Sequence, residues 1–250
     1  MSAGPGAGTA APAAGRARAA PSAGPRTRDT LLVLLTVVSG VVDVLGFVGL
    51  DRVFTANMTG NIVLFGLAAG EGTGGEMVRC GLAVLAFAAG LLAGFRIARS
   101  PAGDELWPRR VTWALVADLV LQVVFLVWWA GTGARPGPWA EVGLIVMSSA
   151  AMGIQTAAAR QLNAYGITTT FVTGTLTSLC GGLVAGERGG AVQRSLVIAG
   201  LAVGAAVGAV LMRVSPVAAA VAGPAVVLVV ILVAVFRLHG TSQPPKAKVK

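Results

Sequence analysis

Apolar residues run in long uninterrupted blocks along this chain, and polar residues collect between them. Eight blocks stand near 31–50, 54–70, 78–98, 111–131, 140–160, 168–186, 192–213 and 216–237. Most match the roughly 20 residues that a helix needs to cross a hydrocarbon core. The second and sixth do not. They are rich in Thr, Asn and Gly, and their apolar parts are too short to span. The pattern predicts an all-α integral membrane protein.

Composition agrees. The chain has 250 residues, 55% of them hydrophobic and 12% charged. Soluble domains carry about a quarter charged residues. The formal charge of +9 is spread over the ends of apolar blocks, without aromatic interleaving or zinc-finger spacing. It therefore reads as a topology signal facing anionic lipid, and the expected partner is the bilayer rather than nucleic acid. Residues 1–28 are Ala, Gly, Pro and Ser with scattered Arg, and lack the apolar region of a secretory signal. They are expected to form a disordered tail, as are the basic residues 241–250. The transmembrane domain is expected over 30–237.

Two cysteines, Cys80 and Cys180, exclude a disulfide framework and are expected to be buried thiols. His239 is the one histidine and lies beyond the last block. No nucleophile–base pair or metal cluster is evident, so neither an enzyme nor a cofactor is expected.

The chain also repeats itself. Met58-Thr59-Gly60-Asn61 corresponds to Val172-Thr173-Gly174-Thr175 at an offset of 114. Gly90 and Gly94 fall on Gly204 and Gly208 at the same offset, and Arg99 falls on Arg213. Two homologous halves follow, 30–131 and 140–237. Charge then selects a topology. Eight full crossings with the N-terminus inside would divide the Lys and Arg residues 12 to 7 and put the Arg96–Arg110 loop outside. If the second and sixth blocks enter and leave on one face, the split becomes 15 to 4, with Arg52, Arg79, Arg135 and Arg213 outside. The second arrangement obeys the positive-inside rule better. It gives 3+3 crossings in inverted halves, each with a short re-entrant or broken helix, and both termini cytoplasmic. Eight full transmembrane helices are the alternative.

Ser39-Gly40-Val41-Val42-Asp43, followed by Val53-Phe54-Thr55-Ala56-Asn57-Met58-Thr59-Gly60-Asn61, resembles the YoaK-like family of bacterial membrane proteins. So does Met152-Gly153-Ile154-Gln155 with Thr168-Thr169-Thr170-Phe171-Val172-Thr173-Gly174-Thr175, more loosely. The resemblance covers 30–237. It implies a multi-pass protein of the bacterial inner or plasma membrane. The family is a domain of unknown function, so no reaction or catalytic residue is carried over.

Asp43 and Asp118 lie inside apolar blocks. A carboxylate at that depth costs at least about 2.5–3.5 kcal/mol, so it is kept where it lines a cavity, pairs or exchanges a proton. The competing reading is a neutral hydrogen-bonding group that glues helices together. Gln122 stands one turn from Asp118 on the same face. Thr59-Gly60-Asn61 and Thr173-Gly174-Thr175 each start a short apolar run. A half-helix beginning there would aim its N–H groups into the membrane. If the two runs enter from opposite faces, their starts could meet at the midplane. Asn57 and Gln155 are candidates to line the same cavity, or to act as glue. Gly90-x-x-x-Gly94 and Gly200-x-x-x-Gly204-x-x-x-Gly208 read as close-packing faces, and Trp128-Trp129 as an interface belt.

The leading expectation is a transporter or channel for a small molecule or ion, with its site between the halves. A non-transporting assembly or regulatory protein is the alternative, and the apolar exterior leaves room for a homo-oligomer.

Overall fold

The computed structural model describes residues 23–99, 105–162, 172–186 and 190–239. Among them are eight helices and no strand: α1 (Ala23–Gly49), α2 (Met58–Glu71), α3 (Gly74–Ala98), α4 (Arg109–Gly131), α5 (Pro138–Gln161), α6 (Val172–Val184), α7 (Ala191–Val214) and α8 (Pro216–Arg237). All but α2 and α6 are long and apolar enough to cross a membrane, which makes six spans among the described residues. At 14 and 13 residues, α2 and α6 reach only about 20 Å. Their outer surface and that of the spans is apolar: Val63, Leu85, Trp113, Val127 and Phe236 are all exposed. In water this would be a liability, whereas in lipid it is the expected exterior. The protein is an all-α integral membrane protein.

Helix α1 begins at Ala23, earlier than the boundary expected at residue 28. The Arg28 guanidinium pairs with Asp29 at 2.8 Å, and Gln193 of α7 donates to the Asp29 carbonyl. These contacts extend the helix into residues that composition alone assigned to the tail. Residues 1–22 and 240–250 lie outside the described ones.

Two apolar clusters mark the two ends of the bundle. One joins Leu31 and Leu35 of α1, Ala98 of α3, Val111 of α4, Ala159 and Leu162 at the end of α5, and Ala234 of α8. The other joins Leu45 and Leu50, Cys80 of α3, Phe125 and Trp129 of α4, Leu144 of α5 and Ala219 of α8. Spans α1, α3, α4, α5 and α8 therefore run from one cluster to the other, α7 runs from beside the start of α1 to Leu211 and Met212 against the second cluster, and successive spans alternate. The end of α1 and the start of α3 share one end of the bundle, where Arg79 pairs with Asp51 and lies 3.4 Å from Glu141. The start of α7 lies beside the start of α1, at the end where α5 finishes. Hence α2 is inserted at one end of the bundle and α6 at the other.

The strongest packing joins the halves. α3 lies on α5 and α1 lies on α7. Both crossings are built from paired glycines. A Cβ on Gly90 would stand 2.1 Å from the Ala150 carbonyl oxygen, and one on Gly153 2.3 Å from that of Phe87. In the other crossing, a Cβ on Gly204 would stand 2.1 Å from the Val37 oxygen, and one on Gly40 2.4 Å from that of Leu201. The glycine faces expected from sequence are thus backbone-to-backbone contacts, and their partners Gly40 and Gly153 sit at matching places. Exchanging α1–α4 with α5–α8 maps every packed pair of helices onto a packed pair, with α4–α8 and α1–α5 mapping onto themselves.

Candidate functional site

The sequence breaks α1 from α2 with Asp51 and Arg52, both at positive φ (52° and 65°). That turn sends the chain back down the side of α1. Gly46 makes room, since a Cβ there would lie 2.6 Å from the Val53 oxygen. The returning strand of backbone has lost its helical partners and needs others inside the membrane. Asp43 supplies them. Its Oδ1 accepts from the backbone N–H of Thr55 at 2.9 Å, Ala56 at 2.7 Å and Asn57 at 3.3 Å. Asn61, fully buried, closes the other side: Oδ1 accepts from Phe54 N–H and Nδ2 donates to Phe54 O. Asn57 caps α2 by accepting from Gly60 N–H. Gly60 is required because a Cβ would press on Phe54 at 2.9 Å.

So α2 starts on the outside of the bundle, at the level of Asp43 on α1. A cavity of about 240 Å³ opens beside it, lined by Gly40, Asp43, Phe47, Phe54 and Asn57, with Leu201 and Ala205 of α7 opposite. Phe47 and Phe54 stack with centroids 4.9 Å apart and form its apolar wall. The cavity is bounded by α1 of one half and α7 of the other.

A second polar group lies at the bundle centre. Asp118, wholly buried on α4, accepts from Gln122 Nε2 at 2.8 Å. Gln155 of α5 donates to the Leu35 carbonyl and to Ser39 Oγ.

These features can be set beside known proteins. Residues 31–234 match the family described as "Protein of unknown function (DUF1275)". The chain belongs to that family. This DUF1275 member is also 41% identical over 152 residues to "UPF0700 transmembrane protein YoaK" of Bacillus subtilis strain 168. The match covers 61% of this chain and 65% of that protein, less than two thirds of its length. No solved structure matches. Membership in the family accords with the multi-pass architecture and names no reaction.

The structure brings Asp43, Asn57, Gly60 and Asn61 together, and separately Asp118 with Gln122. Thr59 is exposed on α2 and bonds into neither group. In the second half, Thr175 is buried, Gly174 half-buried and Thr173 exposed. The preceding Thr168–Phe171 lies outside the described residues. The two Thr-Gly motifs, each in the first turn of its helix, do not meet among the described residues, because α2 packs on α3 and α6 on α7, and α2 and α6 do not touch.

Two further expectations change, for Cys180 and Trp129. Cys180 is exposed on α6, since a helix packed on one neighbour leaves most of its surface outside. Trp129 is core: it is fully buried, packs on Gly49, and donates from Nε1 to the Pro216 carbonyl. His239 accepts or donates at Thr112 Oγ1, which also receives the Trp107 indole N–H, so it ties the end of α8 to α4. Sequence reading missed the Asp51–Arg79–Glu141 cluster. Its signal was an Asp just after one apolar block and an Arg just inside another, on the face poor in Arg.

Proposed function

We propose that this protein is a transporter or channel for a small molecule or ion in the bacterial plasma membrane. Its two halves form an inverted repeat, and its site lies in the cavity between α1 and α7. One observation carries the reading: the backbone is broken inside the membrane at Val53–Asn57, and the break faces a cavity through Asp43 and Asn57. Irregular backbone is tolerated at that depth where it is buried in protein or lines a cavity, and broken helices mark binding sites in transporters. The inverted arrangement is supported by the exchange symmetry of helix pairing and by the insertion of α2 and α6 at opposite ends. The end holding Arg28, Arg96, Arg99, Arg109, Arg110, Arg160 and Arg237 faces the cytoplasm by the positive-inside rule.

Reporter fusions test the orientation. Fusions at Arg99 and Gly190 read cytoplasmic, and one at Gly133 reads external. An external signal at Arg99 favours eight full crossings instead.

The site is tested by accessibility and flux. With Cys80 and Cys180 changed to Ser, Asn57→Cys is labelled by a small polar thiol reagent, and a substrate that is transported slows the labelling. Purified protein in liposomes, given a panel of cations, anions and neutral solutes, moves one class. An inert Asn57→Cys and no flux for any class would leave the assembly or regulatory reading.

A further inference from the structure

The lining of the cavity between α1 and α7 selects among solutes. Its volume is about 240 Å³, below the ~300–1,000 Å³ of pockets for drug-sized ligands. It therefore suits a small organic molecule. Phe47 and Phe54 stack as one wall, and Leu201 and Ala205 of α7 stand opposite. Only Asp43 and Asn57 bring polar side chains to the lining. Val48 at its edge is 63% exposed, on the outer surface that lies in lipid. The entrance is thus apolar as well.

One charge stands in this apolar setting. Asp43 is the single charged residue lining the cavity. Its Oδ1 takes the N–H groups of Thr55, Ala56 and Asn57, and its Oδ2 has no hydrogen-bond partner among the described residues. N–H groups spread the charge of a carboxylate but have no net charge with which to cancel it. The other ionisable groups of the lining elements stand at element ends. They are Arg26, Arg28 and Asp29 at the start of α1, Glu71 at the end of α2, and Arg194 and Arg213 at the two ends of α7. Asp51 and Arg52 occupy the turn beyond α1. Arg52 is exposed and does not line the cavity, so its charge is screened. Its guanidinium lies over Phe47, 5.9 Å from the ring centroid. That contact displays what the aromatic wall attracts, because the face of a ring is negative and favours cations. A carboxylate and two stacked rings therefore call for a positive charge. The apolar remainder of the lining suits carbon, and lacks the set of oxygen ligands that a metal ion needs. An organic ammonium ion meets both conditions, and aromatic faces are a usual recognition surface for it.

We infer that this cavity takes a small organic ammonium ion, its charge beside Asp43 and its apolar body against Phe47 and Phe54. Resting on the transport reading, this names the substrate class of the same site. Binding is measured without flux, so the two fail separately. An ammonium ion that does not bind, beside a transported solute of another class, ends only the inference. A bound ammonium ion in a protein that moves no solute ends only the transport reading.

The test is the unfolding midpoint of the purified full-length protein in detergent, titrated with benzyltrimethylammonium chloride. Sodium benzylsulfonate has nearly the same shape and the opposite charge. Tetramethylammonium chloride has the charge without the aromatic body. Sodium chloride holds ionic strength constant. A ligand that binds only the folded state raises the midpoint with concentration. Benzyltrimethylammonium raises it saturably, tetramethylammonium does so only at higher concentration, and benzylsulfonate does not. Asp43→Asn keeps an acceptor oxygen and loses the charge. It weakens the benzyltrimethylammonium response about tenfold, a loss of about 1.4 kcal/mol in binding. Ala205→Leu leaves Asp43 in place, fills the cavity from α7 and abolishes the response. It decides the matter if Asp43→Asn does not fold. The inference is overturned by a wild type without a saturable response to benzyltrimethylammonium, or with an equal response to either comparison salt. An unchanged response in Asp43→Asn or in Ala205→Leu overturns it too.

Discussion

Gly204→Val abolishes the folded protein, or lowers its stability by more than the roughly 1–3 kcal/mol typical of an overpacked core. A Cβ on Gly204 would stand 2.1 Å from the Val37 oxygen and 2.8 Å from its carbonyl carbon. Those are backbone atoms of α1, which cannot rotate away as a side chain would. The two helices must separate, and the neighbouring Gly40 contact on Leu201 and Ala205 is lost with them. Gly90→Val has the same effect at the α3–α5 crossing, against Ala150. Gly66→Ala is the control. It lies in α2 with nothing within 4 Å of its added Cβ, and is neutral or stabilising by up to about 1 kcal/mol because alanine suits a helix better. Unfolding in a graded denaturing detergent, with folded yield from membranes, measures all three. A stable, monodisperse Gly204→Val would remove the basis for the close crossing.

The second large effect separates shape from charge at Asp43. Asp43→Ala removes the acceptor for Thr55 and Ala56 N–H at 2.9 and 2.7 Å. Each buried donor left unpaired costs about 1–3 kcal/mol, so the pair costs about 2–6 kcal/mol. The loss falls on the loop ahead of α2, because Asn61 bonds that loop at Phe54 and beyond it only the Thr55 hydroxyl, on the Val42 carbonyl at 3.4 Å, ties Thr55 to α1. Asp43→Asn keeps an acceptor oxygen in place and exchanges charge-assisted bonds for neutral ones of roughly half the strength. It stays folded with a small loss of stability. Amide exchange at Thr55 and Ala56 distinguishes the two: fast in Asp43→Ala, slow in Asp43→Asn. Once a transported solute is known, flux through Asp43→Asn separates the structural task of this carboxylate from any task its charge performs. Flux at the wild-type level assigns Asp43 to holding the loop alone.

Much of this fold was legible in the chain. Block length separated the six spans from α2 and α6, because a membrane imposes a length on any helix that crosses it. The offset of 114 found Gly90 opposite Gly204 in the repeat. What periodicity could not supply was the partner of each glycine. Gly40 and Gly153 gain their meaning from contact with a helix of the other half, which no local pattern encodes. The site was half legible. Asp43 stood out as a charge in hydrocarbon, but its target was a stretch of backbone, and N–H groups look alike in every sequence. Asn61 was read as part of a pathway, whereas its amide is spent on both backbone groups of Phe54. The expected meeting of the Thr-Gly motifs failed on packing: each short helix leans on the third helix of its own half, on the outside of the bundle.

The exchange of partners between halves also fixes an order of events during synthesis. Helix α1 leaves the ribosome with Gly40 and its neighbours facing lipid, and its partner α7 is made only after most of the chain has followed. α3 waits less, since α5 comes two helices later. A nascent chain halted after α4 holds four inserted segments and neither of its two glycine crossings. The α3–α5 crossing can therefore close before the α1–α7 one, and until the chain is finished the carboxylate of Asp118 sits beside helices that have not yet met α8.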